Sequence, residues 1–166
     1  MSRYEELAGD AKLWVFIANR PLSDAEAAAI GAEMRGFTDS WLSHGSLLKA
    51  HSEIKNNLFL IFAADAQGDS MCGRAIDASV RFVKVLETKY GVSLLNRNLM
   101  AYTAKDGKVQ SCLLSELHHL METGEITPET LVFNNLVSNK NEFEKAWTAP
   151  LSESWQWRYA EALPSN

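Results

Sequence analysis

Residues 58–64, Leu-Phe-Leu-Ile-Phe-Ala-Ala, are the longest unbroken apolar run in the chain. A run with no polar side to turn toward water reads as a strand buried on both faces. A polar turn over 65–73 follows it. Then Ile76, Val80, Val83 and Leu86 recur at helical spacing, and Gly91 is placed to stop that helix. A buried strand feeding an amphipathic helix is the nucleus of a layered fold, and both faces of the strand need a cover.

The rest of the chain supplies candidate covers. Residues 13–18 form a second apolar strand, ended by Pro21. Ser23 and Glu26 make a capping box, so a helix starts there. Its predicted stripe is Ala27, Ile30, Met34, Phe37 and Trp41, with Gly45 as its stop. Leu48, Ala50, Ser52 and Ile54 alternate with Lys49, His51 and Glu53, which predicts a half-buried strand. Asn56 and Asn57 tolerate the left-handed geometry of a tight turn into the apolar run. After Gly91, residues 99–103 read as a fourth strand.

The order β-α-β-β-α-β is that of a ferredoxin-like plait, so the fold class expected is α+β, with a small C-terminal α/β extension. The plait covers residues 1–98 and shares strand 99–103 with the extension. The extension covers 99–150, and a Trp-rich tail occupies 151–166. Within the extension, Asp106-Gly107 signals a hairpin with a return strand over 109–112. Leu114, Leu117, Leu120 and Met121 predict a helix stopped by Gly124. A short strand over 130–133 and a helix over 139–147, stopped by Pro150, complete the reading.

Composition narrows the function classes. The chain has 166 residues, 46% apolar and 22% charged, which suits one globular domain that needs no staple. The net charge is −5 and no Lys/Arg cluster stands out, so nucleic acid and anionic membranes are not the expected partners. No apolar run approaches the roughly 20 residues of a membrane helix. Cys72 and Cys112 form no CxxC pair, and no secretory signal opens the chain. Reduced thiols in the cytoplasm are the expectation. His51, His118 and His119 lack metal-ligand spacing, so neither a metal nor a cofactor is expected.

Two resemblances add to this reading. Residues 14–21, Trp41 with His44 and Gly45, residues 59–64, Ile76 with Asp77, and Arg97 resemble an uncharacterised bacterial family. Its members often carry the automatic label "ABC transporter ATPase". In that pattern Gly-Cys-Ser precedes Ile-Asp, where this chain has Gly73-Arg74-Ala75. The resemblance implies no established activity. Locally, Tyr102, Asp106-Gly107, Leu114, Glu116-Leu117 and residues 124–133 are similar to the GYF-2 type of adaptor domain. That likeness implies a hairpin, a helix and a "Gly-x-Ile-x-x-x-Thr-Leu-Val" segment in this order. The Gly-Pro and Trp-Gly positions that shape the adaptor's peptide groove are missing here.

The stretch 68–75 echoes the phosphate loop G-x4-G-K-[ST] between a strand and a helix. Arg74 replaces the lysine, Ala75 lacks the hydroxyl that holds magnesium, and Asp69 repels phosphate. ATPase activity is therefore not expected. Cys72 stands near a helix start, where a thiolate is favoured, although a buried inert cysteine is the commoner case. His44, Asp77 and Arg97 are the candidate catalytic residues, if the fold brings them together. Asp77 and Arg81 are also spaced for a surface ion pair. Trp155, Trp157 and Tyr159 either dock as a lid or form an exposed contact surface. The function expected is a non-catalytic cytoplasmic binding or protein-interaction domain, with the helix-free sheet face as a surface for a homodimer or ligand. The alternative is an enzyme on a small anionic substrate, using His44 and Arg97.

Overall fold

The computed structural model describes residues 4–65 and 71–161 and has mixed α+β architecture with antiparallel sheets. The first sheet contains β1 (Lys12–Ile17), β4 (Lys49–Lys55) and β5 (Phe59–Asp65) in the order β1-β5-β4. Between β1 and β4 run α1 (Asp24–Asp39) and a small hairpin, β2 (Leu42–Ser43) with β3 (Ser46–Leu47). The expected central strand is thus in the middle, with antiparallel neighbours on both edges.

Its two faces have different covers. Phe62 meets Phe37 of α1 and Phe82 of α2 (Gly73–Tyr90) in edge-to-face contacts. Phe59 points the other way, toward Phe133 and Trp147. Every apolar side chain from Phe59 to Ala64 is therefore removed from water. Burial of each large one contributes about 1.5–3 kcal/mol.

The second sheet explains the second cover. It contains β6 (Leu99–Thr103), β7 (Val109–Leu113), β8 (Leu131–Phe133) and β9 (Thr148–Pro150), in the order β7-β6-β8-β9. Strand alternation splits its side chains between two cores. Leu99, Ala101 and Phe133 join the core under the first sheet. Met100, Tyr102 and Val132 face a second core with Cys112, Leu114, Leu117, Ile126 and Leu151. The helix α3 (Leu117–Glu122) closes that core.

Several expectations are corrected here. The strand at 99–103 does not extend the first sheet. The free edge of β1 is instead met near Ser138 and Asn139: Leu13 N donates to Ser138 O at 3.1 Å, and Lys12 bridges Asn139. The helix-free face is not an open dimer surface, because the second sheet and α4 (Lys140–Ala146) lie over it. Leu99 and Ala101 of β6 belong to the first core.

The helix α1 ends before Trp41. Thr38 Oγ1 bonds back to Met34 O, and Ser40 Oγ bonds back to Gly36 O, which competes with continued helix. Gly45 is not a helix stop but the turn of the hairpin, with φ +79° after His44 at φ +54°. Pro150 does not stop α4, which has already ended; it sits on the edge strand β9, where no ladder donor is needed. The buried stripe of α2 is Ala75, Ser79, Val83 and Leu86, so Ile76 turns outward. The small Ala75 leaves room for Trp41, whose Nε1 donates to Ala75 O at 2.8 Å.

Other expectations hold. Ser23 and Glu26 form the capping box of α1. Gly91 ends α2 at φ +62°, and Asn56 and Asn57 both take positive φ in the turn between β4 and β5. No helix among the described residues is long and apolar enough to cross a membrane.

Candidate functional site at the start of the second helix

The β2–β3 hairpin is rooted by its ends. Trp41 and Leu48 are buried, and Leu48 N donates to Trp41 O at 2.9 Å. Alternation then turns Ser43 inward and the Leu42–Leu47 pair outward. Leu42 is 49% exposed and Leu47 is 64% exposed, although they face each other across the strands. Ile76, in the first turns of α2, is a further exposed apolar side chain.

Ser43 reaches the beginning of α2. Cys72 is the N-cap residue of that helix, in extended conformation, and its N–H donates to Ser43 Oγ at 3.0 Å. The backbone N–H of His44, the Ser43 hydroxyl and the backbone N–H of Ala75 all donate toward the Cys72 sulfur. These donors, with a smaller contribution from the His44 charge, bring the thiol down to about 7. The arrangement stabilises a thiolate at a half-buried position, and a thiolate is the nucleophilic form of cysteine.

Cys112 is the opposite case. It lies on β7 inside the second core, and burial pushes its thiol up to about 12.

The sequence candidates are only partly brought together. His44 is exposed at the hairpin turn, beside Cys72. Asp77 is exposed near the same end of α2, but no ion pair joins it to Arg81 among the described residues. Arg97 is at the other end of that helix. The loop leading to it is tied to α2's last turns by Glu87 Oε2, which accepts from Leu94 N at 2.7 Å and Leu95 N at 3.0 Å. About 27 Å of helix therefore separates Arg97 from the His44 end. His44 and Arg97 do not converge.

Trp155, Trp157 and Tyr159 are half-buried against the second core rather than standing free as a contact surface. They leave the surface because Gln156, fully buried between them, donates from Nε2 to Phe133 O at 2.9 Å. Gly68, Asp69 and Ser70 of the phosphate-loop echo lie outside the described residues. Among the described residues, no group of His, Cys, Asp and Glu side chains is arranged to hold a metal ion.

Family models, curated proteins and solved structures yield no match to this chain. The site therefore has to be read from its own geometry. Sequence reasoning missed Leu42, Ser43 and Leu47. No local signal marks Ser43 as a partner of Cys72, since 29 residues separate them. The expected end of α1 at Gly45 also hid the hairpin that exposes the two leucines.

Proposed function

We propose that this chain is a non-catalytic protein-interaction domain and that its partner seats on the β2–β3 hairpin. The observation that carries this reading is the Leu42–Leu47 pair, two leucines aligned across a hairpin yet largely open to water. A projecting apolar pair with polar surroundings is the usual anchor of a protein contact. Ile76 is a further exposed apolar side chain in the first turns of α2, and Cys72 is tied to Ser43 of the hairpin. The test is co-purification from the native cell with the full chain and with a Leu42→Asp, Leu47→Asp double variant. The variant should lose its specific partners while keeping the melting temperature of the parent. Retention of every partner by a folded variant would sink the proposal.

A second reading is favoured by the donor set on Cys72: thiol chemistry at the same place, with the His44 imidazole beside it. It replaces the pairing of His44 with Arg97, whose separation speaks against a shared substrate pocket. Partner-independent consumption of an electrophilic substrate, abolished by Cys72→Ser, would favour the enzyme over the binding domain.

The family relationships belong to the same proposal. Residues 4–65 with α2 are read as an open form of the ferredoxin-like plait, supported by the order β1-β5-β4 and the two helices on one face. The likeness to the uncharacterised bacterial family is proposed on the residues quoted above. The GYF-2-like reading of the C-terminal part is supported by the succession β6, β7, α3 and β8, with Gly124 at φ +81° after the helix. The two free cysteines fit a reducing compartment such as the cytoplasm.

A further inference from the structure

The C-terminal segment is attached unevenly. Its entry is firmly held: Leu151 is fully buried, Leu151 N donates to Thr130 O at 2.8 Å, and Ser152 N donates to Pro128 O at 3.0 Å. Beyond that anchor the backbone turns on itself. Ser154 N bonds to Leu151 O, Trp157 N to Ser154 O and Tyr159 N to Gln156 O. Among the described residues, the one hydrogen bond from 154–160 to the body of the protein is Gln156 Nε2 to Phe133 O. The remaining attachment is apolar packing of rings on the second core.

That packing is imperfect in a specific way. Trp155 Nε1 and Gln156 Oε1 are both shut away from water without a hydrogen-bond partner. A buried polar atom left unpaired opposes the closed state, because release to water would satisfy it. The orphaned groups belong to the same segment that has a single tether. Trp155 also walls a surface cleft of about 340 Å³.

 Val132 lines the cleft and is also a member of the second core, so the cleft floor and that core meet there.

We propose that residues 154–160 form a releasable strap, hinged after Ser152, whose opening joins this cleft to the second core. The closed state is held by ring packing and by the Gln156 tether, and it is opposed by the two orphaned polar atoms. Release hydrates those atoms and uncovers Val132 without disturbing the first core. The inference is independent of the hairpin reading above, because the strap touches neither Leu42 nor Leu47.

The test is thiol labelling of the full chain in native buffer, resolved by peptide mass spectrometry. Val132→Cys places a thiol under the strap, and Val83→Cys places one in the first core by the same small substitution. Position 132 should label at least tenfold faster than position 83 and faster than the chain unfolds globally. Adding Gln156→Ala should raise the rate at 132 by about fivefold or more and leave that at 83 unchanged. Labelling at 132 that is limited by global unfolding, or that ignores loss of the tether, overturns the proposal. Should Val132→Cys fail to fold, Gln156→Cys takes its place as the reporter, with the same comparison against global unfolding.

Discussion

Cys72 and Cys112 carry the same side chain in two regions built on different principles. At Cys72 the hairpin and the start of α2 aim hydrogen-bond donors at the sulfur, and the thiol falls to about 7. At Cys112 the second core surrounds the sulfur with apolar groups, and desolvation lifts it to about 12. Burial alone penalises the charged form, whereas donors brought in from two elements favour it. The difference places reactivity where secondary-structure ends meet and inertness where a sheet face is covered.

The largest expected effect is a direct reading of that difference. At pH 7 a far larger share of Cys72 than of Cys112 should be thiolate. Iodoacetamide should therefore alkylate Cys72 at least roughly a thousandfold faster, as followed by peptide mass spectrometry. Comparable rates in the folded protein would remove the contrast.

Stability should divide the pair in the opposite direction. Cys112→Ser puts a hydroxyl into an apolar core and should lower stability by about 1–3 kcal/mol in urea unfolding. At about pH 7, Cys72→Ser keeps a small polar group at the helix N-cap and should change stability by less than about 0.5 kcal/mol. Equal losses would mean that Cys72 is as much a core residue as Cys112.

How far the sequence revealed these two regions depends on the range of the interactions that built them. The double-sided burial of residues 59–64 was legible because an apolar run has no other use for its side chains. Ser23 and Glu26 were legible because a capping box is local. The place of β6 was not: its alternation fits either a fourth plait strand or a shared wall between two cores, and only the segment at Ser138–Asn139 on the edge of β1 decides it. The hairpin at 42–47 was hidden because Gly45 suits a helix stop and a hairpin turn equally. Cys72 was visible as a thiol near a helix start, but its donors were not, since Ser43 and His44 arrive through tertiary packing. The tail rings were visible, while their docking rests on Gln156, whose type predicts exposure.

Ser43→Ala sharpens the Cys72 side of the comparison. It removes one of the donors to the sulfur, so the thiol should move up from about 7 toward its ordinary value. Alkylation at pH 7 should slow by a few-fold, with the Cys112 rate unchanged. A pH–rate profile that stays where it was would show that the backbone N–H groups of His44 and Ala75 suffice.

The smallest expected effect is on the pH dependence of stability, where the two thiols act with opposite signs. Cys72 has a folded value of about 7, below the roughly 8.5 of an unfolded cysteine. Between those values the unfolded chain holds the proton and the folded chain does not, so this group makes stability rise with pH. Its contribution is complete above about pH 8.5 and is lost as pH falls through about 7. Cys112 has a folded value of about 12, so above about pH 8.5 the folded chain holds the proton that the unfolded chain has released. That group makes stability fall as pH rises through this window. Urea midpoints of the parent, Cys72→Ser and Cys112→Ser chains between about pH 6.5 and about pH 9.5 separate the two. The Cys72→Ser difference from the parent should grow on the approach to pH 8.5, and the Cys112→Ser difference should shrink beyond it. Parallel curves for all three chains would mean that neither thiol changes its proton affinity on folding, and the contrast between the two regions would be lost.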